Sequence, residues 1–197
     1  MERDEFSRAA WKGMVAGGIE VHRSLVFVDE MGTDTSLCAL YGWAAKGERA
    51  CWSVPRNRGP NTTLLASMSV EGMGPCLTVV GPTTREVFEA YVEQVLAPSL
   101  QSGQTVVMDN LSAHKGPRVR ELIEARGCKL LYLPPYSPDI NPIEEASSKI
   151  KGILRKTEAR GREALIEAIG WAISAVSARD ARGYFAHRGY RAAVQPF

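Results

Sequence analysis

The chain has 197 residues, of which 45% are hydrophobic and 23% charged, as is typical of a globular protein with one well-formed core. No apolar stretch is long enough to span a bilayer, and the acidic start MERDEF lacks the apolar segment of a secretory signal. The four cysteines form no CxxC pair and no zinc pattern with the three histidines. We therefore expect a cytoplasmic protein with reduced thiols.

The net charge of +2 is unevenly distributed along the chain. Residues 149–191 contain 10 basic and 4 acidic residues, a net charge of +6, whereas residues 1–100 carry a net charge of −3. A basic C-terminal third suits a polyanion such as nucleic acid. An ordinary solvated helical surface is the alternative interpretation of the same charges.

In chain order, residues 1–20 predict a short lead-in helix, and one larger domain is expected over residues 21–197. The continuous apolar and β-branched run at 25–28 predicts a buried strand that ends at Asp29. Four further strands are predicted, two of them joined by a hairpin turn at Lys46-Gly47, and they lie at 36–44, 48–54, 64–70 and 76–80.

The pattern then changes to alternating helices and strands. Apolar residues at helical spacing predict a helix over 83–96, with Thr83 and Glu86 as a capping box. This order of elements predicts an α/β fold with a mixed sheet. The remaining predicted elements are strands 104–108 and 129–133 and helices 117–126, 142–156 and about 162–178, the last two being C-terminal helices.

Two aspartates end strands that are too apolar to face solvent, Asp29 after residues 25–28 and Asp109 after residues 106–108. A carboxylate beside a buried strand is costly unless it is hydrogen-bonded or bound to a cation, although a single such residue is commonly a turn-former or helix cap. Neighbouring strands would bring the two carboxylates together, and like charges at that distance favour a bound cation. Hard oxygen ligands favour Mg²⁺ or Mn²⁺.

A third carboxylate is expected from the helix that begins near Asn141. At 100° per residue, Glu144 lies at the edge of the predicted core-facing stripe and Glu145 near the opposite face, which favours Glu144 as a metal ligand. The alternative is structural, because Asn141 as N-cap and Pro142 at the first helical position would make Glu144 a capping-box residue. The predicted core-facing stripe consists of Ile143, Ser147, Ile150 and Leu154.

The motifs around these carboxylates resemble the catalytic core of mariner-superfamily DDE transposases, in the branch found in bacterial insertion sequences. The resemblance covers roughly residues 20–190. The 34 residues between Asp109 and Glu144 match the family's spacing. The matching motifs are FVDE at 27–30, MDN at 108–110, His114 with Lys115, and LPPYSPDINPIE at 133–144.

This resemblance implies a ribonuclease-H-like fold, a mixed sheet of five or more strands flanked by helices, with Asp29, Asp109 and Glu144 as the catalytic triad. It implies two Mg²⁺ or Mn²⁺ ions held by those side chains, with Asp29 bridging both. Water would be the nucleophile that cleaves double-stranded DNA at transposon ends. The liberated 3′-OH would then join target DNA, usually at TA. The resemblance also implies that the active complex contains a homodimer of the protein. Asn110 and His114 match motif positions near the site without an assigned step. A Ser112–His114 nucleophile pair is disfavoured because no oxyanion-hole pattern accompanies it.

The basic residues near the predicted site are candidates for contacts with the DNA backbone, and solubilising charge is the alternative. Only 28 residues precede Asp29, too few for the helix-turn-helix domain that family members carry. We therefore expect that region to be absent here and supplied by a longer product or by a partner from an upstream frame. The DNA-binding candidates are Lys149, Lys151, Arg155 and Lys156 and, more weakly, Arg56 and Arg58.

Two other functions stay open. A structure-specific nuclease on the same fold would use the same carboxylates and cleave without joining, and the LPPYSPDINPIE string favours a transposase over it. A decayed or repurposed domain would bind DNA or a partner subunit without catalysis, and the presence of all three carboxylates disfavours it.

Overall fold

A five-stranded mixed sheet forms the centre of the computed structural model, which describes residues 4–16, 24–51, 53–56, 59–111 and 114–190. The strand order is β3-β2-β1-β4-β5, and β1 pairs antiparallel with β2 and parallel with β4. The predicted α/β class with a mixed sheet is confirmed. The strands are β1 (Leu25–Thr33), β2 (Thr62–Ser69), β3 (Gly72–Val80), β4 (Thr105–Met108) and β5 (Lys129–Tyr132).

Helices cover both faces of the sheet. Two hydrophobic clusters result, one containing Phe88 and Val119 from α2 and α3, the other containing Ile143, Leu165 and Phe185 from α4, α5 and α6. No helix in the described ranges is long and apolar enough to cross a membrane. The helices are α1 (Glu5–Ala16), α2 (Arg85–Tyr91, continued by a π-helical turn at Val92–Leu96), α3 (Pro117–Glu124), α4 (Ile143–Thr157), α5 (Arg162–Ser174) and α6 (Ala178–His187).

Strand β1 is buried on both faces over residues 25–28, which explains its continuous apolar run, and it continues to Thr33, so the predicted strand end at Asp29 is wrong. Phe27 belongs to the cluster on the α4–α6 side, whereas Val28 belongs to the cluster on the α2–α3 side. Successive side chains of a strand point to opposite faces. Asp29 therefore lies on the α4–α6 side, and its neighbour Glu30 lies on the α2–α3 side.

The strands predicted at 36–44 and 48–54 are wrong, since the described residues of both segments lie in irregular backbone and turns. Both edges of β1 are already occupied, by β2 and by β4, so the segment between β1 and β2 has no sheet edge to join there. It instead runs over the surface and exposes large side chains, including Tyr41 at 91% and Trp43 at 103%.

Helix ends differ from the predictions at two places. The N-cap of α2 is Thr84, whose side chain accepts a hydrogen bond from the Val87 backbone N–H, so the predicted cap at Thr83 is one residue too early. The helix predicted at about 162–178 ends at Ser174, and a further helix that was not predicted, α6, begins at Ala178. Ser177 and Asp180 form a capping box that starts α6, which ends the preceding helix and turns the chain.

The N-terminal helix α1 packs against the rest of the domain through buried polar contacts. Arg8 is 1% exposed, and its guanidinium donates to both carboxylate oxygens of Asp139, at 2.9 and 2.5 Å. Trp11 Nε1 donates to the Tyr190 hydroxyl at 3.0 Å, and that hydroxyl donates to the Ile140 carbonyl at 2.7 Å. Both ends of the described chain therefore hold the turn that precedes α4.

Replacing Arg8 with Met is expected to lower the free energy of unfolding by about 2–3 kcal/mol, because a buried set of charge-assisted hydrogen bonds is lost. The matched control is Lys12→Met in the same helix, where the side chain is exposed and a change within about 0.5 kcal/mol is expected. Urea denaturation of both variants measures the difference. Equal effects at Arg8 and Lys12 would show that α1 is not anchored through the guanidinium.

Candidate active site

The three predicted carboxylates line one cavity of about 300 Å³. Val28 and Met108 are partners in the parallel β1–β4 pair, so Asp29 and Asp109 follow directly at the same edge of the sheet. Glu144 reaches the cavity from the first turn of α4. The other lining residues are Asn110, Leu111, Leu133, Pro134, Pro135, Tyr136, Ser137, Pro138 and Asn141.

Helix α4 separates the two neighbouring glutamates. Glu144 lines the cavity, whereas Glu145 Oε1 lies 2.6 Å from Arg188 Nε and 2.8 Å from His187 Nδ1, in ion pairs with the end of α6. Glu145 is therefore engaged in joining two helices. The buried face of α4 consists of Ile143, Ala146, Ile150 and Leu154, so Ala146 takes the core position predicted for Ser147.

Asn141 holds an active-site carboxylate and does not cap the helix. Its side chain is buried, and its Nδ2 donates to Asp29 Oδ2 at 2.8 Å. The N-cap position of α4 is Pro142, without a side-chain cap. The capping-box interpretation of Asn141 and Glu144 is therefore wrong. Asn141 Oδ1 is buried and accepts no hydrogen bond from any described residue.

The surroundings of Asp29 disfavour its ionised form. Burial raises the pKa of this carboxyl, and repulsion from Glu144 and Asp109 raises it further, to about 7, although a hydrogen bond from the Glu30 backbone N–H opposes the change. A carboxyl in this setting resists ionisation unless positive charge is supplied. The cavity is therefore suited to a cation.

His114 connects two carboxylates on the other side of the sheet. Its ring is buried and stacked on Phe88 at a centroid distance of 4.0 Å. Nδ1 lies 2.5 Å from Asp109 Oδ1, and Nε2 lies 3.0 Å from Glu30 Oε1. Burial lowers the pKa of His114, but the two carboxylates outweigh burial and raise it to about 9. At neutral pH the ring is therefore an imidazolium that donates from both nitrogens.

Glu30 is a site residue that the sequence did not reveal. In the sequence it stands only as the last residue of the FVDE motif at 27–30, with no role assigned to it. The signal that could have found it is the alternation of β1, since a charged side chain that faces a buried layer needs a partner there. His114 is that partner.

The donor set fits a hard divalent cation, although no group of three or more His, Cys, Asp or Glu side chains among the described residues could hold a metal ion as it stands. In this arrangement Asp109 bonds His114 and Asp29 bonds Asn141. Carboxylate oxygens are the ligands that Mg²⁺ and Mn²⁺ prefer. The repulsion at Asp29 and the unpaired carbonyl oxygen of Asn141 both call for positive charge or a donor in the cavity.

The predicted DNA-binding residues differ in their surroundings. Lys149 Nζ pairs with Asp180 Oδ2 at 2.8 Å, and Asp180 also caps α6, so this lysine joins α4 to α6. Its contact with DNA stays a prediction, and that contact would compete with the ion pair to Asp180. Of the others, Lys151 and Arg155 are half-buried, Lys156 and Arg56 are exposed, and Arg58 lies outside the described residues.

The strand order, the directions of pairing and the helical layers define a ribonuclease-H-like fold. The catalytic domain of the Mos1 mariner transposase has the same fold, with a TM-score of 0.58 and 14% identity over 94% of this chain and 90% of that domain. The chain in the Mos1 strand transfer complex gives a TM-score of 0.71 and 17% identity, covering 94% of this chain and 57% of that one.

Sequence comparison identifies the family. The sequence profile of the DDE superfamily endonucleases matches residues 24–166, and the chain belongs to that family. The transposable element Tcb1 transposase of Caenorhabditis briggsae is 30% identical over 121 residues, which is 57% of this chain and 44% of that protein. The chain therefore spans less than half the length of that relative.

Asp29→Asn is expected to stabilise the metal-free protein more at pH 8 than at pH 5. Because the pKa of Asp29 is raised to about 7 in the folded state, the fold favours the protonated carboxyl, and the wild type loses stability as pH rises towards and through 7. The neutral amide avoids this loss, so the gain from the substitution should grow by at least ~1 kcal/mol between the two pH values.

Urea denaturation in the presence of a chelator measures both proteins. Glu163→Gln, at an exposed position of α5, is the control and should show no such pH dependence. A difference between Asp29→Asn and the wild type that stays constant from pH 5 to pH 8 would contradict the charge repulsion described here.

Proposed function

We propose that this chain is the catalytic domain of a DNA transposase, which cleaves DNA at transposon ends and joins the liberated 3′-OH to target DNA. The observation that carries the proposal is the convergence of Asp29, Asp109 and Glu144 on one cavity, in a chain of the DDE superfamily endonuclease family. The chain's likeness to the Mos1 catalytic domain over 90% of that domain supports the same assignment at the level of fold.

Asp29, Asp109 and Glu144 would together hold two Mg²⁺ or Mn²⁺ ions. When bound, such ions neutralise the charge that develops on phosphate oxygens and lower the pKa of the attacking hydroxyl. Mos1 paired-end complexes with Mg and with Mn support this choice of metals.

The other side chains of the site orient the carboxylates and limit the access of water. Asn141 holds Asp29 from the α4 side, and His114 holds Asp109 from the α2–α3 side. Leu133 and Pro134 give the cavity an apolar wall, which limits the water around the reacting phosphate. No protein nucleophile is needed, since water serves in cleavage and the DNA 3′-OH in joining. Both nitrogens of His114 are engaged, so this ring is unavailable as a base for a serine.

Double-stranded DNA is the proposed substrate, and its backbone would contact the basic residues that remain accessible. Lys151, Arg155 and Lys156 extend along α4 away from Glu144, and Arg56 is exposed on the β1–β2 connection. Contacts of this kind bind phosphates and tolerate any sequence. Structural relatives are a pre-cleavage transpososome and a strand transfer complex of Mos1, which supports an active homodimer on DNA.

Several finer features belong to the same proposal. The LPPYSPDINPIE string supports placement in the branch of bacterial insertion sequences, and with it a cytoplasmic protein that acts on chromosomal DNA, usually at TA targets. A helix-turn-helix region would supply recognition of transposon ends, either in a longer product or in a partner chain.

The function is tested by incubating the protein with pre-cut transposon-end DNA, a target plasmid and Mg²⁺. Joined product is expected from the wild type, and Asp109→Asn should remove both cleavage and joining while the protein stays folded, because one metal ligand is lost. Cleavage without joining would favour the structure-specific nuclease. Binding without either reaction would favour a repurposed domain.

The two neighbouring glutamates provide a matched pair for the same assay. Glu144→Gln should reduce joining to background, because Glu144 lines the cavity. Glu145→Gln should keep activity within a few-fold of wild type and lower only the stability, because its partners are Arg188 and His187. The reverse pattern would overturn the assignment of the third carboxylate.

The 197 residues alone are expected to bind duplex DNA with little sequence preference and with steep salt dependence. Specific recognition commonly needs a helix in the major groove, whereas the accessible basic residues here are suited to phosphates. A competition assay at physiological salt, with end DNA against scrambled DNA, measures the preference. A preference above about 100-fold would place end recognition inside this chain.

A further inference from the structure

Glu30 has no place in the metal chemistry proposed above, yet it is anchored beside it. Its side chain is 23% exposed, and its Oε1 lies 3.0 Å from His114 Nε2. It projects from β1 on the face opposite to Asp29, and it is absent from the lining of the cavity that Asp29, Asp109 and Glu144 share. Its backbone N–H donates to Asp29 Oδ1 at 2.8 Å, but the Glu30 carboxylate reaches the site only through another side chain.

His114 connects Glu30 to Asp109. The ring is buried, stacks on Phe88, and meets Asp109 and Glu30 with its two opposite nitrogens. The Tyr132 hydroxyl donates to the His114 backbone carbonyl at 3.0 Å, which fixes the backbone that carries the ring. With its plane and both edges held, the imidazole has one orientation available in this packing.

His114 makes its hydrogen bond to one of the two carboxylate oxygens of Asp109, namely Oδ1. His114 Nδ1 and the Leu111 backbone N–H, at 2.5 and 3.1 Å, both bond Asp109 Oδ1. No hydrogen bond from a described residue competes for Oδ2. The rotation of the Asp109 carboxylate is therefore set by the side of the sheet that carries Glu30, and the second oxygen stays available on the cavity side.

We propose that Glu30 is a positioning residue, which fixes the Asp109 carboxylate through the His114 imidazole and so sets the geometry with which Asp109 holds a divalent cation. The proposal rests on the proposed function of the cavity. It adds to that function a carboxylate–histidine pair behind one ligand, Asp109, whereas the other ligand, Asp29, accepts hydrogen bonds from the Asn141 side chain and the Glu30 backbone N–H. Hydrogen-bond partners behind a metal ligand commonly change metal affinity by about 10–100-fold when they are removed.

The test measures Mn²⁺ binding by electron paramagnetic resonance of free Mn²⁺, with no DNA present. Glu30→Ala is expected to weaken binding about tenfold. Glu30→Gln keeps an acceptor oxygen at the same reach and should lose less than Glu30→Ala. His114→Gln should weaken binding as much as Glu30→Ala does, and the double variant should be no worse than His114→Gln, because both residues act along one chain of contacts.

Two controls separate positioning from general destabilisation. Glu71→Gln removes an exposed carboxylate in the β2–β3 turn and should leave Mn²⁺ affinity unchanged. Leu100→Val lowers stability from within the same hydrophobic cluster as Phe88 and should also leave affinity unchanged, although urea denaturation shows the loss. Weaker binding in Leu100→Val comparable to that in Glu30→Ala would attribute the effect to stability and overturn the proposal.

The outcomes distinguish the two levels of inference. Wild-type Mn²⁺ affinity in Glu30→Ala, or losses that multiply to about 100-fold in the double variant, would overturn the positioning role alone. A wild-type protein that neither binds Mn²⁺ nor cleaves DNA would overturn the proposed function and this proposal with it. Weakened binding that returns towards wild type in Glu30→Gln supports the positioning role.

Discussion

Repulsion among three carboxylates clustered at one cavity is the constraint on which the rest of this structure depends. The parallel pairing of β1 and β4 brings Asp29 and Asp109 to the same edge of the sheet. The first turn of α4 adds Glu144 to the same cavity. Burial and the two neighbouring charges together raise the pKa of Asp29 to about 7. Clustered carboxylates of this kind contribute little to the stability of the fold by themselves. A cation in the cavity would offset their repulsion.

The surrounding structure holds the three side chains from separate layers. Asn141 reaches Asp29 from the turn before α4, and that turn is itself held by Arg8 and Tyr190 from the two ends of the described chain. Asp109 is held from the opposite layer by His114, a ring fixed between two carboxylates and a phenyl face. The polar groups of the site are thus held in fixed orientations by helices and strands. Such preorganisation favours phosphoryl transfer, because little rearrangement is needed during the reaction.

Charge on α4 serves two purposes that look alike in the sequence. Lys149 pairs with Asp180 and Glu145 with the end of α6, so these residues join helices. Lys156, about two turns further from the cavity end of α4, is exposed. The ion pairs therefore leave only part of the charge on α4 without a partner helix.

The sequence by itself determined the mixed α/β class, the buried strands that carry Asp29 and Asp109 to the cavity, and the separation of Glu144 from Glu145 on α4, because strand and helix periodicity are local properties of the chain. Tertiary structure alone decided the rest. The segments 36–44 and 48–54 have strand-like patterns but cannot pair with β1, the strand they follow, since β1 pairs on both sides with β2 and β4. Asn141 supports Asp29 and Lys149 pairs with Asp180 through contacts 112 and 31 residues apart, and Glu30 meets His114 across 84 residues. Partners that distant are chosen by packing, which no local pattern encodes.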